Sequence, residues 1–295
     1  MEKTGKKQNL RAYLTLLVGL SFMCFSAIYV KSAHAPGIVT AFYRMVIGSL
    51  VLILPFIIYL KKAGQRLPLK GVLLAVAGGL CFGGDMALWS TAVVMSNATL
   101  PTLMANLAPV WVGIGAMIVF REKNNALFWT GLAVAIGGVV LLMSKDLFSA
   151  NGILKGALLG SGAGLFYATF YLLSQSGRKL LNALSFVFIF TVSSAMLLFV
   201  LMIVLHYRFT GYDVHTNLMF LGIGVGVQVC GWLLINYSQG YLPATIVAPT
   251  LLGQPVLTAI LALALLGEHL TIRHITGGLV VMAGIYVVHF SRKTK

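Results

Sequence analysis

Charged residues are scarce in this 295-residue chain, and acidic residues are scarcer still. Only 9% of the residues are charged and six are Asp or Glu, whereas 59% are hydrophobic. A soluble domain has about 25% charged residues, so this composition excludes a soluble enzyme, a disordered protein and a secreted disulfide scaffold. The three cysteines lie inside apolar runs without metal-type spacing. Because the sequence also lacks a P-loop, a G-x-S-x-G turn and an HExxH pattern, we expect no enzymatic activity, no metal and no cofactor.

Long apolar runs are what the chain has instead. Ten runs are long enough to cross a bilayer as helices: 12–30, 38–60, 71–94, 101–120, 126–143, 153–174, 185–206, 217–238, 244–266 and 272–290. The runs are too long for barrel strands and show no period-two alternation. The first run resembles a signal peptide, but it exceeds the usual apolar core of one and is interpreted as a retained span. The predicted fold is therefore an all-α polytopic membrane protein with ten transmembrane helices.

The basic residues indicate how the chain is oriented. The net charge is +15, which on a soluble protein would suggest nucleic-acid binding. Here the basic residues stand at the ends of the apolar runs, as the positive-inside rule expects. With the N-terminus inside, 15 Lys and Arg lie on the inner side, 5 on the outer side, and Arg44 lies within a span. We expect both termini in the cytoplasm, a location in the inner (plasma) membrane, and no nucleic-acid partner.

The second half of the sequence repeats the first at an offset of 146 residues. Pro109-Val110 recurs as Pro255-Val256, and Glu122 recurs as Glu268. The predicted organisation is a tail at 1–11, a first repeat at 12–145, a second repeat at 152–290 and a tail at 291–295. Each repeat holds five spans. Because five is odd, the two copies must cross the membrane in opposite orientations, an arrangement typical of secondary transporters with a substrate site near the midplane.

Two stretches carry a family resemblance. One runs from Ala98-Thr99 through Pro109-Val110 to Phe120-Arg121-Glu122, and the other from Ala244-Thr245 through Pro255-Val256 to Leu266-Gly267-Glu268. A glycine-bearing helix follows each. The pattern resembles the EamA family of the drug/metabolite transporter superfamily, although the first copy has Phe-Arg-Glu where the family has Leu-Gly-Glu. The resemblance implies ten helices and transport of small metabolites, often efflux of amino acids or related compounds, without implying a particular substrate.

Asp85 is the only acidic residue in the middle of a predicted span. A carboxylate there costs ~2.5 kcal/mol or more, so it should face the bundle interior or water. Trp89 and Phe82 lie on the same helical face. Two interpretations stay open: Asp85 couples transport or binds a cationic group, or it pairs with Arg44, the only mid-span base. Arg44 would alternatively contact an anionic substrate.

The eighth run carries Gln228, Trp232 and Asn236 on one helical face. Aromatic walls with a few amides suit a partly apolar organic solute. We predict that these residues, with Asp85 and Trp89, line the substrate site; interhelical hydrogen bonding is the alternative. Three further polar faces are Thr250/Gln254/Thr258, Thr99/Thr102/Asn106 and Tyr167/Tyr171, of which Gln254 joins the predicted site.

Repeated prolines, glutamates and glycines complete the pattern. Pro109 and Pro255 should kink their spans, and the kinks either line a transport site or are bends that serve packing.

Glu122 and Glu268 stand at the ends of spans, on opposite sides of the membrane. They are either gating or coupling carboxylates, or solvated charges that cap the next helix. Glycine pairs at Gly131/Gly138 and Gly277/Gly284 are typical of close helix contacts, within the chain or with a second copy, so a homodimer stays open.

These features predict a secondary transporter that moves a small organic metabolite by alternating access, with efflux of an amino acid or related compound favoured. An uptake permease for a vitamin or nucleotide-like cofactor is the alternative within transport. A channel or an intramembrane enzyme is the alternative from another class, and it is disfavoured because no pore pattern or catalytic set can be assembled. The expected partners are the small-molecule substrate and membrane lipid.

Overall fold

The structure is a computed structural model that describes residues 2–64, 66–95, 99–144, 153–266 and 272–293. Within those ranges the chain is helical and contains no strand. The α-helices are α1 Glu2–Ser32, α2 Gly37–Ala63, α3 Leu69–Met95, α4 Thr99–Ala105, α5 Ala108–Val119, α6 Ala126–Met143, α7 Ile153–Gly177, α8 Ala183–Val204, α9 Val214–Gly222, α10 Trp232–Gln239, α11 Ala244–Thr250, α12 Gln254–Leu266 and α13 Ile272–Lys293. A π-helical segment, Ile223–Gly231, joins α9 to α10, and a 3₁₀ turn, Leu251–Gly253, joins α11 to α12.

Ten segments of the described chain are long and apolar enough to cross a bilayer. They coincide one to one with the ten predicted runs, which confirms the all-α, ten-span fold. Their outer faces carry large apolar side chains such as Leu50, Ile118 and Leu279, all more than half exposed in the isolated chain. Such faces are compatible with lipid, because helices already satisfy their own backbone groups.

Short polar residues fix where several helices begin. Asn125, Asn182 and Asp213 each accept a hydrogen bond from the backbone N–H three residues later, the N-capping arrangement. At the other end, α2 stops at Gly64, whose φ of 61° is the left-handed conformation that glycine adopts readily. These local signals place the turns between spans.

The contacts divide the chain into two compact units. Unit 1 comprises 1–87 and 173–243, and unit 2 comprises 88–172 and 244–295. Each unit therefore draws spans from both halves of the sequence, and α3 and α7 contribute residues to both. The predicted repeats are consecutive stretches of sequence, whereas the two units group residues by their contacts, so units and repeats do not coincide.

In unit 1, α2 packs against α8, and α1 packs against the π segment and α10. Ser194 of α8 donates a hydrogen bond to the carbonyl of Gly79 in α3, at 2.7 Å. Thr15 of α1 and Ser238 of α10 lie 2.8 Å apart, oxygen to oxygen. Hydroxyl groups thus add hydrogen bonds between helices to their apolar packing.

In unit 2, α6 packs along α13 through glycines at equivalent repeat positions. A Cβ added at Gly138 would lie 2.5 Å from the Val281 backbone nitrogen and 2.8 Å from the Gly277 carbonyl oxygen. Around this contact the buried core includes Leu132, Val139 and Val288. The four predicted glycines therefore bring the two helices together within one chain, as small residues do in membrane helix pairs.

Candidate substrate site

Two spans of unit 2 are interrupted at matching repeat positions. Between α4 and α5, residues 106 and 107 form a turn, and between α11 and α12 the 3₁₀ turn Leu251–Gly253 intervenes. Pro109 and Pro255 are the second residues of α5 and α12. Proline lacks an N–H and is best accommodated in the first turn of a helix, where that group has no partner within the helix. The interruptions therefore fall immediately before the prolines singled out in the sequence.

Both interruptions border one small cavity of about 30 Å³. Its lining comes from α4 and α5, from α7, and from α11 to α12: Ala105, Asn106, Ala108, Pro109, Tyr167, Tyr171, Ala248, Leu251, Leu252 and Gln254. None of these described residues is charged. The cavity is a neutral site built on the broken parts of two spans.

Polar groups of three elements meet in this cavity. The Tyr171 hydroxyl donates to the Tyr167 hydroxyl at 2.8 Å. Asn106 has a buried amide nitrogen that makes no hydrogen bond with any described residue. Gln254 opens α12 beside them. The sequence indicated three separate polar faces, and the structure brings Asn106, Gln254 and the two tyrosines from those faces to one cavity.

Trp89 also belongs to unit 2. Its indole Nε1 donates to the Thr102 hydroxyl of α4 at 3.0 Å. This bond ties the last part of α3 to the short helix that precedes the first interruption. Thr102 was part of the predicted α4 face, so the pairing links two sequence-predicted polar positions.

In unit 1, Gln228 lies in the π-helical segment of the eighth span. Its side-chain oxygen accepts from Arg44 Nε at 3.0 Å, and its nitrogen donates to the Thr191 hydroxyl at 2.9 Å. All three side chains are buried. The wider π turn rotates the positions before Trp232, so the three predicted residues do not follow a single regular α-helical face.

Trp232 and Asn236 are fully buried in the same unit. Trp232 meets Phe82 and Phe190 edge to face, with ring centroids 5.0 Å and 6.0 Å away. Asn236 accepts from the Ser174 hydroxyl at 2.8 Å and donates to the Trp232 carbonyl at 3.1 Å. In this conformation Asn236 makes an interhelical hydrogen bond, the alternative that the sequence left open, and Trp232 packs against rings of α3 and α8.

Asp85 and Arg44 are both 4% exposed in unit 1. Arg44 lies close enough to Asp85 to interact with it electrostatically. Its guanidinium carbon also lies 5.8 Å from the centre of the Phe82 ring, a cation–π distance. The mid-span acid and the mid-span base are thus buried within electrostatic reach of each other in unit 1, and both interpretations of Asp85, pairing with Arg44 and a role in coupling, stay predictions.

Sequence reasoning missed the role of Arg178, which it used only to count charges. Arg178 follows α7, donates from Nε to the Asn236 carbonyl at 2.7 Å, and donates from Nη1 to the Leu181 carbonyl. Burial lowers the pKa of its guanidinium to about 10, so the group stays charged at neutral pH. Ser174 lies beside it, 2.5 Å from the Gln239 side-chain oxygen. No local pattern signals the contacts with Asn236 and Gln239, because those partners lie about sixty residues away along the chain.

Glu122 receives a hydrogen bond from the buried hydroxyl of Thr245 at 2.8 Å. Glu122 follows α5, and Thr245 is the second residue of α11, so the bond joins one repeat to the other inside unit 2. The carboxylate also lies where the positive end of α11 favours it. The equivalent glutamate, Glu268, falls outside the described residues.

Replacing Thr245 with valine should destabilise the protein by about 1.5–3 kcal/mol, because the Glu122 carboxylate loses a charge-assisted hydrogen bond at nearly constant side-chain volume. Thr245→Ser keeps the hydroxyl and serves as the matched control. Thermal unfolding of the purified protein measures the effect. Equal stability of the valine variant and the wild type would show that the bond contributes nothing.

A family model for the EamA-like transporter family matches twice, at residues 10–144 and 154–290. An uncharacterized transporter of Archaeoglobus fulgidus is 24% identical over 264 residues, 88% of this chain and 90% of the relative. Another from Clostridium kluyveri is 22% identical over 298 residues, 96% of this chain and 94% of the relative.

A solved structure, described simply as a crystal structure of a protein, shares the fold with a TM-score of 0.80. It is 14% identical, and the match covers 96% of this chain and 98% of that one. At this identity the likeness concerns the fold alone. The two family matches nearly span the sequence, each over one predicted repeat, and thus confirm the resemblance drawn from the paired proline and glutamate motifs. The chain is a multi-pass membrane protein that belongs to the EamA-like transporter family.

Proposed function

We propose that this protein is a secondary transporter that carries a small organic solute, an amino acid or related compound, out of the cell by alternating access. The observation that carries the proposal is the pair of interruptions before Pro109 and Pro255, which border one cavity. Interrupted helices supply the substrate sites of many secondary transporters, because their freed backbone groups and flexible joints serve binding and movement. The sequence also has no P-loop to support ATP-driven pumping.

The proposed solute contacts are Asp85, Trp89, Gln228, Trp232, Asn236 and Gln254. Gln254 borders the cavity of unit 2, and Trp89 is bonded to α4 of the same unit. The four contacts in unit 1 have protein partners in this conformation. They would contact solute in a state of the cycle in which those partners are exchanged.

Coupling and gating are proposed for the charged residues. Asp85 would take up a proton or a solute cation while Arg44 balances its charge, and the bond from Thr245 to Glu122 would close one end of unit 2. Glu268, the repeat equivalent of Glu122, is proposed for the corresponding role in the second repeat. These assignments rest on the rarity of acids within membrane spans.

We further propose that the protein lies in the inner (plasma) membrane with both termini in the cytoplasm, supported by the 15 to 5 division of Lys and Arg. Reporter tags placed after residue 145 should report the outside, and tags at either end should report the inside. A tag after residue 145 on the same side as the termini would overturn this orientation.

The transport proposal is tested by counterflow in liposomes. Vesicles containing the purified protein are loaded with unlabelled amino acids, and entry of the labelled compound is followed. Saturable counterflow is expected, with a reduced rate for Gln254→Leu and an unchanged rate for the outward-facing control Leu279→Ala. Flux that rises linearly with concentration, without counterflow, would indicate a channel. Comparing inside-out with right-side-out vesicles decides between efflux and uptake.

A further inference from the structure

An open apolar groove runs along the surface of unit 1, between α2 and α8. We propose that this groove binds one acyl chain of an anionic phospholipid, whose head-group phosphate contacts Arg208 at the end of the groove. The lipid is distinct from the transported solute, and its binding does not depend on the proposed transport.

The lining of the groove is apolar on both helices. Four residues between 42 and 50 line it from α2, and five between 192 and 200 line it from α8. Ser49 is the polar residue of the described lining, and its hydroxyl donates to the Met45 carbonyl of its own helix at 2.8 Å. Water would gain no hydrogen bond in such a groove. Because both helices are membrane spans, hydrocarbon is what surrounds the groove.

The groove has the size and shape to hold a hydrocarbon chain. Its volume of about 440 Å³ lies within the ~300–1,000 Å³ of sites that bind small organic molecules. Ser49 and Ala195 are short side chains, whereas Leu50, Met196 and Val200 are long and more than half exposed in the isolated chain. A second copy related by a two-fold axis would place groove against groove and leave both unfilled. A flexible chain can instead follow the groove along its length.

The groove extends through about one half of the membrane. Phe42, near the start of α2, and Phe199, near the end of α8, have ring centroids 6.1 Å apart and lie at one end of the groove. Leu50 and Val192 lie at the middle of their helices. The helical rise from Phe42 to Leu50 is about 12 Å, close to half of the ~30 Å hydrocarbon core. This is the depth of one leaflet, and in the proposed orientation it is the outer one.

Aromatic and basic residues lie at the end of the groove nearest the membrane surface. The ring centroid of Phe209 lies 5.7 Å from that of Phe42 and 5.5 Å from that of Phe199. The Tyr43 hydroxyl donates to the Phe209 carbonyl and holds the segment after α8 there. Arg208 directly precedes Phe209 and is exposed. Aromatic side chains are enriched where membrane meets water, and a guanidinium binds phosphate through charge-assisted hydrogen bonds.

The acid nearest to Arg208 in the sequence has other partners. Asp213 accepts a hydrogen bond from the backbone N–H of Thr216 at 2.9 Å, and it lies 3.9 Å from the His34 ring. The positive charge of Arg208 therefore favours an anionic head group over a zwitterionic one, whose own ammonium already balances its phosphate.

The test uses the full-length protein in phosphatidylcholine nanodiscs that contain a trace of phosphatidylglycerol with a diazirine in the middle of one acyl chain. After illumination, peptide mass spectrometry locates the cross-linked residues. We expect the label to be concentrated on 42–50 and 192–200, and to be about fivefold stronger than with the same probe on phosphatidylcholine.

Two variants test the two parts of the site. Ala195→Trp fills the groove and should abolish labelling of both stretches. Ala133→Trp is the matched control on an exposed position of α6, one turn before Gly137, where no described atom lies within 4 Å of an added Cβ; it should change nothing. Arg208→Gln, outside the spans, should keep the chain in the groove and remove the preference for phosphatidylglycerol. Thermal unfolding verifies that each variant is folded.

Several outcomes would overturn the proposal. Even labelling of all exposed faces of the wild type is what bulk lipid produces, and groove labelling that survives Ala195→Trp would place the chain elsewhere. A head-group preference that survives Arg208→Gln would remove the phosphate contact. A dimer in sedimentation that Ala195→Trp dissociates would show that a second copy covers the groove. If Ala195→Trp does not fold, the wild-type labelling pattern and Arg208→Gln still decide.

Discussion

A leucine at position 138 is expected to disrupt unit 2, whereas the same change one residue earlier leaves it folded. At Gly138 the new side chain would run into the backbone of α13, within 2.5 Å of the Val281 nitrogen. Backbone cannot move aside as a flexible side chain can, so α6 and α13 must separate. At Gly137 no described atom lies within 4 Å of an added Cβ.

The two leucine substitutions should therefore change the stability in opposite directions. Overpacking typically costs about 1–3 kcal/mol, and a leucine against backbone belongs at the upper end or beyond it. At Gly137 the leucine replaces a poor helix former and gains up to about 1 kcal/mol. Thermal unfolding and size-exclusion profiles of Gly138→Leu, Gly138→Ala and Gly137→Leu measure the series. Equal stability of the two leucine variants would contradict the close contact between α6 and α13.

Much of this architecture could be predicted from the sequence, for a simple reason. Lipid requires every span to be predominantly apolar over about 20 residues, so hydropathy alone locates ten spans. The repeat at 146 residues also located Pro109 and Pro255, and a proline inside a span has few conformational options. The position of a span and of its interruption depends on residues close together in the sequence and is therefore predictable from it.

The partners of the polar residues are not local and could not be predicted. Gln228 bonds to Arg44, which lies 184 residues away, and Ser174 bonds to Asn236, which lies 62 residues away. The π-helical segment at Ile223–Gly231 has no sequence signature of its own, yet it changes which way Gln228 points relative to Trp232. A face drawn with regular α-helical spacing therefore grouped residues whose partners lie on several helices.

The repeat was also an incomplete guide to contacts. Similar sequences suggested two halves, but each compact unit combines spans from both. The hydrogen bond from Thr245 to Glu122 crosses from one repeat to the other within unit 2. Sequence similarity shows which residues of the two halves are equivalent, whereas packing depends on which helix faces are complementary.

The second large effect is expected at the buried pair in unit 1. Replacing Arg44 with methionine should destabilise the protein by about 1.5–3 kcal/mol, because the buried Gln228 side-chain oxygen would lose its charged donor. Asp85, which is 4% exposed, would also lose its positive neighbour. Methionine has a similar length and keeps contact with Phe82, so the loss reports charge more than packing.

A double-mutant cycle isolates the interaction. Asp85→Asn in the Arg44→Met background removes the unbalanced carboxylate and should restore much of the stability. Thermal unfolding of the wild type, both single variants and the double variant gives the coupling energy. Additive effects of the two changes would show that Asp85 and Arg44 do not depend on each other.

The same variants separate the two interpretations of Asp85 through transport. If Asp85 couples transport to protons, Asp85→Asn should keep counterflow, which needs no net driving force, and lose accumulation driven by an imposed pH gradient. If Asp85 and Arg44 have only a structural role, Asp85→Asn should reduce counterflow and gradient-driven accumulation equally, in proportion to its folded fraction. A variant that folds fully should then keep both activities. A carboxylate is costly to bury in a membrane span, and gradient-driven flux measures directly whether the proposed cycle changes the charge of Asp85.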